Sequence, residues 1–467
     1  MKKLSFLTVV MINVATLFAT TEYMDDVRKN TALTSLRCDD NQLTALDVSR
    51  NTALIGLSLQ NNQLTALDVS QNTTLAGWFN CNGNQLTANA LNFLFNTLND
   101  NAVTYLNKHW IERIFKKYIY ISNNPGSADC DQSIAERKGW TVENKKDKAV
   151  DEKYVWKLDS PQSGDVYVAG TSGGVATIWK NGVQQYLIGT ENRTAKAYSI
   201  YVSGSDVYAA GEIEGVATIW KNGEPKYLTG NIFGSSANSV YVSGSDIYVA
   251  GEERSGDFMN SWGQRHSVAK LWKNGIVQNL SDVTKSSTAS SVYVSGNDVY
   301  VAGTDEWNVT LWKNGEAQFL TRGGANSKYS VYVSGEDVYV AGIKDNINAG
   351  YGLTVWKNGE AQNLTLSGGS YNNGYHSVFV SNGDVYVAAF KYDEERDLHI
   401  ATLWKNGVAQ NLTDVTDGDS SSESVFVSGC NVYVAGYSVE SEKAMLWKNG
   451  EVQILGNGFA YSVFVVE

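Results

Sequence analysis

Proline is nearly missing from this 467-residue chain, with three residues against 43 glycines. Its tight turns must rely on backbone positions of positive φ rather than on a ring-fixed φ, which suits hairpins in an all-β protein. Cysteine and histidine are also scarce, at four each. Cys38, Cys81, Cys130 and Cys430 show neither a CxxC pair nor Cys/His zinc spacing, so no metal site is expected. No cluster of Lys and Arg occurs and the net charge is −12, which argues against a nucleic-acid partner that would need a basic stripe to neutralise phosphates. Gly-rich pieces such as Gly323-Gly324 do not form a phosphate loop, and no cofactor is expected. Asp414, Asp417 and Asp419 resemble a fragment of a calcium loop without the spacing that would complete it, and they read as an acidic solvated turn.

No apolar run reaches the roughly 20 residues that a membrane-spanning helix needs. Residues 4–19 come closest, an apolar stretch behind Lys2 and Lys3 that turns polar at Thr20. That pattern is a secretory signal peptide, expected over residues 1–19, so the mature chain would be secreted or held at the cell surface without a transmembrane span.

What the chain does contain is repetition. Trp-Lys-Asn-Gly occurs seven times, beginning at Trp179, Trp220, Trp272, Trp312, Trp356, Trp404 and Trp447, at intervals of 40 to 52 residues. The units share a consensus, Ser-Val-Tyr-Val-Ser-Gly-x-Asp-Val-Tyr-Val-Ala-Gly, a variable stretch, and Ala-Thr-Leu-Trp-Lys-Asn-Gly-x-x-Gln-x-Leu. Four strands are legible in it, the third and fourth joined by an Asn-Gly turn that matches the twist of a hairpin. Four-stranded units at this period predict a seven-bladed β-propeller over residues 154–467. The element at Asp165 lacks a Ser-Val-Tyr-Val strand before it, and Ser462 begins one with no unit after it. Joined, they close the ring with one C-terminal strand and three N-terminal ones and leave no open edge. The segment Tyr154 to Leu158 competes for the same place.

Residues 30–87 hold a shorter repeat of about 21 residues, from Asn30, Asn51 and Asn72. Leu33, Leu36, Cys38, Asn41 and Leu43 fill L-x-x-L-x-L-x-x-N-x-L in the first, and Leu54, Leu57, Leu59, Asn62 and Leu64 in the second. Leu91, Leu94, Phe95 and Leu98 then follow at helical spacing, as an end cap. The strings NTALTSL, NNQLTALDVS and NNPGSADCDQSIAERKGW resemble the short leucine-rich-repeat modules of bacterial secreted and surface proteins. That resemblance, over residues 29–143, implies adhesion or protein recognition, or only a spacer. The segment from Ala102 to Lys117 departs from it. The fold class expected is thus mainly β: signal peptide 1–19, leucine-rich module with helical cap 20–143, linker 144–153 and propeller 154–467.

In an antiparallel blade the 1–2 and 3–4 turns share one face of the disc. Those turns repeat, while the 2–3 and 4–1 connections vary, so variation is confined to the other face, as in a scaffold that presents loops. The repeated Trp and Tyr read as packing between blades. The residue before the first-strand Ser changes from unit to unit: Tyr198, Asn238, Ser290, Tyr329, His376, Glu423 and Tyr461. Around the channel mouth these would hold a polar or saccharide ligand, with Phe258, Trp262, Trp307, Tyr351, Tyr371 and Tyr392 in the loops as further anchors. The expectation is a monomeric, non-enzymatic recognition or adhesion protein that binds an extracellular protein or glycan. The alternatives are a glycan-specific lectin, or a polysaccharide-acting enzyme using Tyr329, His376 and Glu423 for proton transfer.

Overall fold

The computed structural model describes residues 9–11, 31, 33–39, 41–75, 78–100, 117–144, 156–190, 193–229, 234–259, 265–323, 327–346, 350–364, 376–393 and 395–467. Most of the expected signal peptide, most of the segment from Ala102 to Lys117, Trp262 and Tyr371 lie outside them. The chain divides into two compact units, Met1–Asp151 and Glu152–Glu467.

The first unit is a single parallel sheet whose six strands lie in sequence order: β1 (Val9–Met11), β2 (Ser35–Arg37), β3 (Gly56–Ser58), β4 (Trp78–Asn80), β5 (Lys117–Tyr120) and β6 (Trp140–Glu143). Each repeat contributes one short strand, and the leucines stack behind it. Leu36, Leu57 and Phe79 occupy one rung and Cys38, Leu59, Cys81 and Ile121 the next, all buried. A second ladder satisfies the backbone at the bends. Asn62 donates through Nδ2 to the Cys38 and Leu59 carbonyls (2.7 and 3.1 Å) and accepts from Leu43 N–H, and Asn84 and Asn124 repeat the pattern one and two turns on. A polar side chain is tolerated in that core because its donors and acceptor are engaged. Helix α1 (Ala88–Thr97) is capped by the Thr87 hydroxyl, which accepts from Ala90 N–H, and buries Leu91, Leu94 and Phe95 against the stack. The short helix α2 (Ser133–Glu136) leads to Lys138, whose ammonium bonds the Asn96 and Leu98 carbonyls at the C-terminal end of α1, where a cation is favoured.

The second unit is a ring of seven four-stranded antiparallel sheets, a β-propeller. Blade 1 runs Ala195–Ser203, Asp206–Ile213, Val216–Lys221 and Glu224–Tyr227, here strands a to d from the centre outward. Blades 2 to 6 span 235–279, 287–322, 330–363, 377–411 and 420–457. Blade 7 takes strand a from the C-terminus, Phe459–Val465, and strands b to d from Val166–Ser172, Val175–Lys180 and Val183–Tyr186. Trp156 to Leu158 form no strand. They lie as coil, with Trp156 and Leu158 packed against the core that blades 7 and 1 share.

The repeated motif is accounted for by contacts made once per blade. In blade 3, Asp298 bonds Lys313 (2.7 Å) and Asn314 (2.8 Å), and the Lys313 ammonium sits 5.3 Å from the centre of the Tyr300 ring. Asn314 in turn accepts from Val299 N–H. Six blades share this ion pair; blade 6 has Asn431 in place of the aspartate. Asn314 and Gly315 both have positive φ, and a Cβ on Gly315 would lie 2.5 Å from the side-chain nitrogen of Gln278 in the preceding blade. The Asn-Gly turn is thus fixed twice, by its own backbone and by its neighbour. The seven Trp side chains of the motif are each at most 2 % exposed, between blades.

Candidate functional site

Strand a of each blade faces the channel with every second residue. Three layers result. In the uppermost, nearest the variable face, Ser199, Ser239, Ser291, Ser330, Ser377, Ser424 and Ser462 each accept a hydrogen bond from a backbone N–H of the next blade, at 3.1 to 3.3 Å. The last of these, from Ile200 N–H to Ser462, completes the circle across the chain ends.

Two residues deeper lies a closed ring of aromatics: Tyr201, Tyr241, Tyr293, Tyr332, Phe379, Phe426 and Phe464, with neighbouring centroids 4.7 to 5.1 Å apart. The four tyrosines are consecutive, so one side of the ring is hydroxylated and the other apolar. Burial pushes Tyr201, Tyr293 and Tyr332 up from the ordinary phenol range, and the neighbouring ring hydroxyls add to the rise at Tyr201 and Tyr293. The third layer is serine again in blades 1 to 6, from Ser203 to Ser428.

Above the serines the backbone departs from the sequence-based expectation. Strand a does not begin at the serine in blades 1, 2, 3, 6 and 7; it starts three or four residues earlier and bulges at the variable residue, which has no partner on strand b. A bulge re-aims its side chain. The expected ring of exposed side chains at the mouth is corrected: Asn238, Ser290 and Glu423 on bulges, and Tyr329 and His376 just before unbulged strands, are buried, and only Tyr198 and Tyr461 are partly exposed. Asn238 donates to the Ala289 carbonyl of the next blade at 2.9 Å. Tyr329 donates to the Ile343 carbonyl at 2.8 Å. His376 bonds the Lys328 carbonyl at 3.0 Å, and since a carbonyl only accepts, its Nδ1 carries the proton. Burial lowers the pKa of that imidazole to about 4, only partly offset by the Lys328 bond. Glu423 accepts from Ser421 and raises Tyr437.

The partly exposed pair belongs to a polar patch across blades 6, 7 and 1. Tyr198 donates to Glu212 at 2.9 Å and its ring lies 5.6 Å from that of Tyr461. Burial first, then the Glu423 and Glu212 carboxylates, hold the Tyr461 phenol protonated. Tyr437 and Phe459 complete the patch, edge to face at 4.9 Å.

Among the loop aromatics, Trp307 stands out at 58 % exposed, in the two-residue turn after strand b of blade 3. Phe258 and Tyr351 lie on strands by their backbone. Tyr392 donates to Asp397 and packs 5.5 Å from His399, whose ring also meets Phe390 edge-on and bonds Asp419 at 3.2 Å. The sequence gives no sign of that His399 cluster, because four of its members sit in one variable connection and the fifth, Asp419, in the next, where no repeat marks them. Asp414 and Asp417 close a reciprocal capping box on a short 3-10 turn, and with Asp419 committed to His399 the fragment that resembles a calcium loop is a turn. Among the described residues no group of His, Cys, Asp and Glu could hold a metal ion, and no helix is long and apolar enough to cross a membrane. On the invariant face an open groove of about 740 Å³ runs along Lys157, Asp159 and Val183, but its Lys180 is already engaged by Asp165 at 2.8 Å.

No protein-family model matches the chain. No curated protein matches it either. Solved structures do. The periplasmic gluconolactonase PpgL of Pseudomonas aeruginosa is 12 % identical, with 66 % of this chain and 99 % of that one covered and a TM-score of 0.39. A puromycin-hydrolyzing peptidase of Mycobacterium tuberculosis is 12 % identical over 64 % of this chain and 55 % of its own, at 0.42. The functional domain of InlJ from Listeria monocytogenes, which includes a cysteine ladder, is 24 % identical over 26 % of this chain and 21 % of its own, at 0.19. This chain thus spans about half of that peptidase and a fifth of InlJ. At these identities and scores the likenesses say nothing of activity.

Proposed function

We propose that this is an exported recognition protein, without catalytic activity, in which a leucine-rich-repeat module precedes a propeller that binds a protein or glycan through its variable face. One observation carries the reading: the two faces of the disc are built differently. On one, the same aspartate, lysine, asparagine and tyrosine recur blade after blade around turns of fixed length. On the other, the connections differ from blade to blade and present the exposed Trp307. Export rests on the basic start and apolar run of residues 2–19. The leucine-rich assignment rests on the 21-residue spacing, with its leucine and asparagine ladders. The proton-transfer alternative is disfavoured by burial. His376 is neutral at physiological pH, and Tyr329 and Glu423 are both enclosed.

The test is binding of the full chain to arrays of glycans and of extracellular proteins, repeated with Trp307→Ala and with Lys313→Ala on the opposite face. Loss with the first and retention with the second is the expected result. Equal loss with both, or polysaccharide turnover that His376→Ala removes, would overturn it.

A further inference from the structure

We infer that the central channel is a blind well that takes one pyranose-sized, neutral, polyhydroxylated unit, such as the terminal sugar of a chain, end-on from the variable face. This rests on the reading of that face as the binding face and names the chemistry of its centre.

The floor comes first. A regular heptagon with sides of 4.9 Å has its corners about 5.6 Å from the centre, and aromatic rings directed inward from there leave an aperture of about one water molecule. A sugar ring cannot pass, so a chain cannot thread the disc. Only an end can enter.

The wall supplies the donors. Each upper-layer serine uses a lone pair on its neighbour's N–H, and among the described residues none of these hydroxyls donates to a protein acceptor. Seven O–H groups at one depth face the same space. No charged side chain occurs in the three channel-facing layers; the nearest charge below them is Glu467, at the end of blade 7, which helps to raise the Tyr332 phenol. A cation would find a single lone pair left on each serine and no carboxylate at that depth, and an anion would find no positive charge and pass the Glu212 carboxylate at the rim. An apolar ligand would strand the hydroxyls without water, at a cost for each. A sugar matches on every count. Its hydroxyls accept from the serines, its C–H groups meet the upright ring edges, and its two-sided edge meets a floor that is hydroxylated at Tyr241 and Tyr293 and apolar at Phe379 and Phe426.

The experiment is titration of the full chain with methyl glycosides of a hexose, a 6-deoxyhexose, a pentose and an N-acetylhexosamine, followed by saturation-transfer NMR. The inference expects millimolar binding of at least one, with transfer strongest to the C–H protons of the ring. Ser291→Ala with Ser330→Ala should weaken it at least tenfold. Since each serine also holds a neighbouring N–H, Tyr293→Phe serves as a second variant that keeps the packing, and it should weaken binding severalfold while the protein still melts cooperatively, the lost bonds to Tyr241 and Tyr332 lowering only the midpoint. Binding by none of the four glycosides, or binding indifferent to both variants, would overturn the well. Loss with Trp307→Ala while the well variants bind normally sinks the well and leaves the loop-face reading standing. Loss with the well variants alone supports the well and counts against the loops.

Discussion

At the scale of single residues, the informative contrasts lie between copies of one motif. Trp220 donates its indole N–H to the Ile188 carbonyl at 3.1 Å, whereas the equivalent nitrogen of Trp312 is buried with no acceptor among the described residues. Replacing either by Phe removes similar volume, so the difference isolates the hydrogen bond. Trp220→Phe should cost about 1 kcal/mol more than Trp312→Phe in urea unfolding, since only there is a carbonyl deprived of its donor. Equal losses would show that the Ile188 bond is immaterial. His376 provides a pH signature. Its imidazole takes a proton near pH 6.5 in the unfolded chain but only near 4 when folded. Below 6.5 the unfolded state therefore binds more protons, and stability falls as pH drops from 6.5 to 4, by about 3 kcal/mol. In His376→Gln that part of the slope should vanish from a series of denaturation midpoints. The side chain is readable in the sequence as one member of a column that varies between repeating neighbours. Its burial is not, because a column that varies looks like a solvated loop end whether its side chains point out or in.

At the scale of elements, the bulge on strand a accounts for the inward turn of Asn238, Ser290 and Glu423 and for the glycine of Val-Ala-Gly, while Tyr329 and His376 are buried ahead of strands that carry no bulge. The sequence shows no gap at a bulge, so counting strand positions from the serine outward gives no sign of it. The sign is on the neighbouring strand. A Cβ on Gly303 would lie 2.0 Å from the Thr288 carbonyl oxygen, and Gly170, Gly211, Gly251 and Gly436 meet the same obstacle in the other bulged blades. In blade 4, Gly342 instead makes room for the Tyr329 ring, which would lie 2.1 Å from a Cβ at that position. Blade 5 has no bulge on its strand a, and there the glycine is replaced by Ala389 beside the smaller His376. Gly303→Ala should accordingly destabilise by about 2 to 3 kcal/mol, as overpacking against backbone does, while Ala389→Gly should cost no more than about 1 kcal/mol. Thermal melts of the two variants decide it, and a harmless Gly303→Ala would mean that strand a can shed its bulge. The hairpins, by contrast, are fully legible, because Asn-Gly has one dominant use between two strands.

At the scale of the whole molecule, blade number and closure are legible by counting, since a ring built from equal units must account for every strand. The depth of the channel is not, because Tyr201 and Phe464 belong to opposite ends of the propeller sequence and meet, at 4.9 Å, only once the circle is closed. That closure is carried by Phe459–Val465, which pairs along Val166–Ser172, supplies Phe464 to the aromatic ring and offers Ser462 to Ile200. Ending the chain at Asn457 removes all three and bares the inner edge of blade 7, so the truncated protein should lose its cooperative melt and aggregate through that edge. A circular permutant separates contacts from connectivity. Val466 and Gly164 are already hydrogen-bonded at 2.8 Å, so a chain that begins at Gly458, joins Val466 to Ser163 and ends at Asn457 rebuilds the first-strand turn of the other blades. It keeps each of those contacts, but its ring is closed by a blade interface in place of a strand ladder. Because this chain omits residues 1–162, its reference is the propeller unit Glu152–Glu467 alone: it should fold to the same circular dichroism spectrum as that unit, with amide exchange in blades 6 and 7 faster by an order of magnitude or more, because opening the ring no longer breaks a ladder. If exchange there stays as slow as in that unit, the packing between blades alone holds the ring shut.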